Sequence, residues 1–212
     1  IPDWLPIQYL FVLLLRVLKT TPNLYWWWNQ FPSALRTISK IRFLASIGAG
    51  GVIYLTPLVF NQIELSATQI GSGFATAAFI GTISRLITGG LLDKGTSSSI
   101  VLKLAFLFAI FADISFFNAQ NFQVFLVGQI LLGTAAGLYW PSIELAVPLS
   151  CGDFPSSKGF ALVRSADALG TSIGVLLGSS SALIGAIRIV YLIDVSCLVY
   201  LLFLLNKKQI RN

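Results

Sequence analysis

The sequence predicts an all-α membrane protein, a bundle of six transmembrane helices. Three observations predict it. Of the 212 residues, 56% are hydrophobic and only 10% are charged, whereas a soluble domain carries about 25% charged residues. Apolar stretches near ~20 residues, the length that spans a bilayer, recur along the chain. The basic residues fall at alternate ends of those stretches. A transmembrane barrel would instead read as alternating strands of roughly ten residues, and the sequence has no such alternation. The net charge of +6 is spread over the ends of apolar runs rather than gathered in a basic patch, which argues against nucleic acid as a partner.

Six hydrophobic segments give the expected helices: Ile41–Phe60, Gly71–Leu92, Ile100–Phe117, Val124–Ile143, Gly159–Ala182 and Ile187–Leu205. Short connections predict that consecutive helices are antiparallel neighbours. The first is glycine-rich toward its middle and holds Pro57, so it reads as a moving or cavity-lining element. In the fourth, Gly133 and Gly137 are one GxxxG step, and Pro141 is placed to kink or end the helix. In the fifth, Gly170, Gly174 and Gly178 are two steps in register, a face that lets helix backbones approach closely.

Charge sets the orientation. Arg16, Lys19, Arg36, Lys40 and Arg42 precede or open the first helix; Lys94 and Lys103 flank the second connection; Lys158 closes the fourth; Lys207, Lys208 and Arg211 form the tail. The first and third connections have no Lys or Arg, and the fifth has only Arg188. The positive-inside rule then puts both ends in the cytoplasm, as an even helix count requires. The expected organisation is an N-terminal interfacial or cytoplasmic segment (1–40), a six-helix bundle (41–206) and a basic tail or start of a central linker (207–212), in the cell (inner) membrane. Within 1–40, "WLPIQYLFVLLLRVLK" reads as an interfacial helix, with a seventh spanning helix as the alternative. "YWWWNQF" (25–31) reads as an aromatic anchor at headgroup level rather than a sugar-stacking platform. The absence of Met from the sequence leads to the expectation of a longer natural chain.

Chemistry is sparse. Without His, and with Cys151 and Cys197 lacking ligand-spaced neighbours, no metal site, cofactor or structural disulfide is expected. No nucleophile stands with a base and no phosphate-binding loop is present, so an enzyme is not expected. Intramembrane charge is costly and marks function. Arg85 in the second helix, and Arg164 and Asp167 one turn apart in the fifth, fall in one layer near the cytoplasmic side. Arg85 is in position to pair with Asp167, while either arginine can instead snorkel to the interface. Asp113, a turn from the end of the third helix, is expected to reach water. Asp194 is expected to be buried, either as a hydrogen-bonded acid or as a proton relay.

The connection after the second helix reads "GGLLDKGTSSS" (89–99). It resembles the loop signature of the major facilitator superfamily: a Gly, three residues, an acid, a base, then a Gly and further bases. Gly89, Asp93 and Lys94 match, Gly95 comes one position early, and Thr96–Ser99 replace the usual basic pair. "GQILLGTAAGLYWPSIE" (128–144) is similar to the family's fourth helix, with Glu144 where sugar porters place an acid. "PSSKGFALVRSADALGTSIGVLLG" (155–178) is similar to its fifth. The resemblance covers about 41–206 and implies the N-terminal half of a twelve-helix secondary transporter. In that half, Asp93 and Lys94, with Glu144 as partner, would latch the cytoplasmic ends. The solute or coupling ion would meet Tyr54, Gln129, Tyr139, Arg164 and Asp167, with Arg85 nearby.

Two departures point away from proton-driven drug export: Gln129 stands near where many proton-coupled members carry an Arg, and Val175 rather than Pro follows Gly174. The implied partners are a small-molecule solute, the lipid bilayer and a second six-helix half, in the same chain beyond residue 212 or as a second copy. The alternative function is a non-transporting six-helix membrane scaffold or assembly factor.

Overall fold

A computed structural model describes residues 24–209, and every described element is a helix. After a six-residue helix, Leu24–Asn29, come α1 (Ser33–Asn61), α2 (Ala67–Asp93), α3 (Ser98–Asn118), α4 (Phe122–Cys151), α5 (Ser156–Leu183) and α6 (Ile189–Gln209). Each of these six is long and apolar enough to cross a membrane. The chain is an integral, multi-pass membrane protein with a six-helix bundle. The segment 4–18, and with it the choice between an interfacial and a spanning helix, lies outside the described residues.

Local chemistry explains the helix ends. Ser66 opens α2 with a capping box: its hydroxyl accepts from the Gln69 N–H while the Gln69 side chain accepts from the Ser66 N–H. Asn121 caps α4 through Val124 N–H at 3.0 Å. Together these satisfy donors that a helix start leaves open. Arg188 donates to the Phe117 and Ala119 carbonyls at 2.7 and 2.8 Å, placing a cation where the α3 dipole is negative. At the end of α2, Gly95 N–H bonds Leu92 O and Thr96 N–H bonds Leu91 O, with Gly95 at φ +87°. That is a Schellman stop, and it needs a residue tolerant of the left-handed region. The early glycine of the loop therefore has a structural reason.

Two helices run longer than expected. α1 begins at Ser33, eight residues before Ile41, and α4 continues through both Pro141 and Pro148 to Cys151. Proline costs an interior hydrogen bond, but in a bilayer neighbouring helices and side chains compensate for that loss.

The expectation that consecutive helices are neighbours holds fully only for α3 and α4. α1 packs chiefly on α5 and secondarily on α6, α2 packs on α4, and α1 barely meets α2. Small residues decide this. A Cβ at Gly174 would strike the Ile47 carbonyl oxygen, one at Gly170 the Phe43 carbonyl oxygen, and one at Gly178 the Leu55 side chain. On the other seam, a Cβ at Gly133 would strike the Ala77 carbonyl oxygen and one at Gly137 would strike Ser84. Backbones in such contact gain van der Waals packing over their whole length, which short connections alone do not provide.

Aromatic residues seal one end: Phe60, Phe116, Phe125 and Tyr191 pack with ring centroids 4.3–6.1 Å apart. At the other end, which carries most of the basic residues, Phe31 packs with Leu35, Val147, Cys151, Leu162 and Val163. The aromatic run is thus docked on the bundle through Phe31, while Trp26 stays exposed.

Candidate solute-binding site

The site is built around α1. Because that helix starts at Ser33, Arg42 lies roughly 13 Å along it instead of at its first turn. Arg42 is buried and forms an ion pair with Asp167 of α5 at 2.8 Å. Ser46, one turn on, donates to the same carboxylate oxygen at 2.6 Å. The guanidinium lies over the Trp140 ring at 4.2 Å and near the Tyr139 ring at 5.1 Å. A planar cation over an aromatic face gains quadrupole attraction, and more so once desolvated. Charge, hydroxyl and ring therefore hold α1, α4 and α5 together at one level.

Above this cluster opens a cavity of about 370 Å³ that all six long helices line. Its wall is mainly alanine, valine, leucine and phenylalanine. Arg42, Asp167, Tyr139, Gln129 and Asp194 supply the polar spots, with Ser46, Thr56 and Thr171. Gln129 is fully buried and neither of its amide atoms has a partner. The Tyr139 hydroxyl is also buried and faces the Arg42 guanidinium without a well-aligned hydrogen bond to it. Buried polar groups are nearly always bonded, so open ones facing a cavity mark where a ligand or water is held.

Of the residues expected from the sequence to meet solute, Gln129, Tyr139 and Asp167 line the cavity. Tyr54 does not: it is 60% exposed on α1, outside the cavity wall. Nor does Arg164, which lies 5.3 Å from the centre of the Trp140 ring and pairs with Glu144 at 3.2 Å. The Arg85–Asp167 pair is not formed. Arg85 is exposed on α2, which packs on α4 and not on α5, and Asp167 is taken by Arg42. Glu144 is likewise engaged by Arg164 rather than by Asp93 or Lys94, both of which are exposed. Gly89 has open space where a Cβ would lie. Asp113 does not reach water: it is 1% exposed, because Arg188 and the aromatic cluster close that end.

Sequence reasoning missed Arg42 as a site residue. The signal was present in the apolar spacing of Leu35, Ile38, Ile41 and Ala45, a helical stripe that begins two turns before the long apolar run.

Two curated relatives share part of this chain. Quinolone resistance protein NorA of Staphylococcus aureus, found in several strains, is 25% identical over 143 residues, covering 66% of this chain and 37% of the relative. Multidrug resistance protein 1 of Bacillus subtilis is 25% identical over 139 residues, covering 64% and 36%. The chain thus spans little more than a third of the length of the relatives it matches. No family model and no solved structure matches it.

Proposed function

We propose that this chain is a half-transporter unit of the major facilitator type, moving a small, largely apolar solute through the membrane by alternating access. The observation that carries the reading is the cavity: about 370 Å³, lined by all six helices, with unpartnered polar atoms on an apolar wall. A scaffold has no use for buried donors and acceptors left open, because each costs stability. Likeness to two drug-resistance proteins supports transport and suggests a drug-like solute. This outweighs the two departures at Gln129 and Val175, which bear on how proton coupling is arranged. The chain is not read as an enzyme.

In this mechanism a second six-helix half, in the same polypeptide beyond residue 212 or as a second copy, faces the bundle and completes the path. The two halves rock against each other. Asp93 and Lys94, exposed at the end of α2, are the latch that such a second half would engage in the outward-facing state. Both termini lie in the cytoplasm, on the basic side of the inner membrane.

The test is uptake into proteoliposomes of the complete coding frame containing this chain, using a quinolone and a lipophilic dye as solutes. Transport lost in Gln129→Leu and in Asp167→Asn, with both variants folded, supports the reading. Equal flux in protein-free vesicles, for both solutes and under imposed proton and sodium gradients, would refute it.

A further inference from the structure

Asp113 of α3 and Asp194 of α6 are buried acids outside the ion-paired cluster, 1% and 4% exposed. They are neighbours across the packed seam of α3 and α6: Phe116, three residues after Asp113, packs on Tyr191, three residues before Asp194, with ring centroids 5.5 Å apart. Neither Asp113 oxygen, nor Asp194 Oδ1, has a donor. Neither acid takes part in the Arg42–Asp167 and Arg164–Glu144 ion pairs. Two ionised carboxylates are acceptors only and cannot bond each other; one proton between them turns one into a donor.

Among the described residues, the groups around the pair do not offer a cation in its place. From α6, Tyr191 faces Asp113, but its hydroxyl is engaged with Thr56 of α1 at 3.2 Å; Cys197 faces Asp194. Arg188 spends its guanidinium on the carbonyls that end α3. From α1, Gly48 presents bare backbone, and a Cβ there would collide with the Asp194 carboxylate. Gly48 thus makes room for the acid. From α4 and α5, the polar groups at the shared cavity are the Gln129 amide, the Tyr139 and Thr171 hydroxyls, the Trp140 indole and Asp167, the last held by Arg42. Gln129 is an independent sign that this region serves a ligand: it is fully buried, unpartnered and lines the same cavity as Asp194.

We propose that Asp113 and Asp194 form a proton-binding site in which a carboxyl–carboxylate pair exchanges one proton with the cavity through Asp194. The step is simple. A proton from cavity water forms an O–H bond on one carboxylate oxygen and leaves by the same route; no other bond forms or breaks. Like-charged carboxyls held together in a low-dielectric interior share a proton rather than both ionise. The assignment does not require transport. In a transporter, the pair would be the place where a coupling ion resides, on α3 and α6 and away from the arginine-bound acid.

Infrared spectroscopy of the complete protein in lipid tests this without any transport assay. Acidification is expected to raise a protonated-carboxyl C=O band in the wild type. Asp113→Asn and Asp194→Asn should each move the midpoint of that band by at least about tenfold in proton concentration, or remove it. Both variants titrating as the wild type does would overturn the site. So would a wild-type band that sodium removes at fixed pH, which would make the ligand a metal cation.

Should either variant fail to fold, labelling of the unaltered protein with an apolar carbodiimide, which attacks protonated carboxyls, gives the same decision. Modification at Asp113 or Asp194 should fall steadily as pH rises. Labelling that is absent or constant at every pH overturns the proposal.

Discussion

Arg42 of α1 and Asp167 of α5 close a 2.8 Å ion pair at the floor of the cavity, with Ser46 donating to the same oxygen at 2.6 Å. The two side chains are 9% and 21% exposed, so the pair is largely removed from water. Removing one member of such a pair leaves an uncompensated charge and costs about 3–5 kcal/mol, whereas replacing both with apolar residues of like volume is often neutral. Arg42→Met and Asp167→Leu are therefore each expected to lower thermal stability in detergent, by roughly the lower end of that range. The double variant should recover most of the loss. A double variant less stable than both singles would show that the pair is not acting as a unit.

The Trp140 ring that Arg42 meets is also met by Arg164, a member of a second pair. Arg164 and Glu144, at 3.2 Å, are each more than half exposed. Exposed pairs contribute about 0–1 kcal/mol and are screened by salt. Glu144→Gln should leave the melting profile within about 1 kcal/mol of wild type at any ionic strength. The contrast with Asp167 is the informative part. The two acids look alike in sequence, each set among apolar residues, and differ only in what surrounds them.

The glycine seams give a matched pair of substitutions. A Cβ at Gly174 would strike the Ile47 backbone, which cannot swing aside as a side chain would. A Cβ at Gly89 would meet nothing within 4 Å. Gly174→Ala should force α1 and α5 apart and reduce the yield of monodisperse protein on size-exclusion chromatography. Gly89→Ala, inside α2, should be neutral or stabilise by up to about 1 kcal/mol from helix propensity. If Gly89→Ala stays folded yet slows transport, the α2 terminus is serving an approach from a partner and not the packing of this bundle.

These contrasts show how far the sequence could be read. Helix number and character were legible, because twenty apolar residues and charge at alternate ends follow from the bilayer itself. The glycine spacings of α4 and α5 were legible as close-packing faces but did not name the partner. Nothing local records that Gly170 and Gly174 meet α1, and that Gly178 meets both α1 and Val190 of α6. The ion-pair partners were unreadable for the same reason. Arg85 and Arg42 are equally plausible mates for Asp167 until helix adjacency is known. Pro141 misled in a different way: its cost in water predicts an end, while in a bundle the freed carbonyl is tolerated and α4 runs on by ten residues to Cys151. Asp113 looked wet from its distance to the helix end. The Arg188 fork, which closes that end, comes from about seventy residues away in sequence.

Gln129 offers the sharpest separation of stability from function. Its amide is fully buried on α4, faces the cavity, and neither the nitrogen nor the oxygen has a partner. A buried polar group left unsatisfied costs about 1–3 kcal/mol, whereas an apolar group of like shape does not incur that cost. Leucine is close in length and fits a wall already made of Leu132, Val52 and Phe74. Gln129→Leu is therefore expected to raise the unfolding midpoint in detergent while lowering solute flux in proteoliposomes, because the cavity loses a donor and an acceptor. Gln129→Glu keeps the shape and adds a charge. It should destabilise and should make unfolding depend on pH, with stability recovered as the pH falls and the new carboxyl becomes neutral. A Gln129→Leu variant that is both less stable and fully active would mean that the amide is bonded in the working protein and that the cavity's polar wall lies elsewhere.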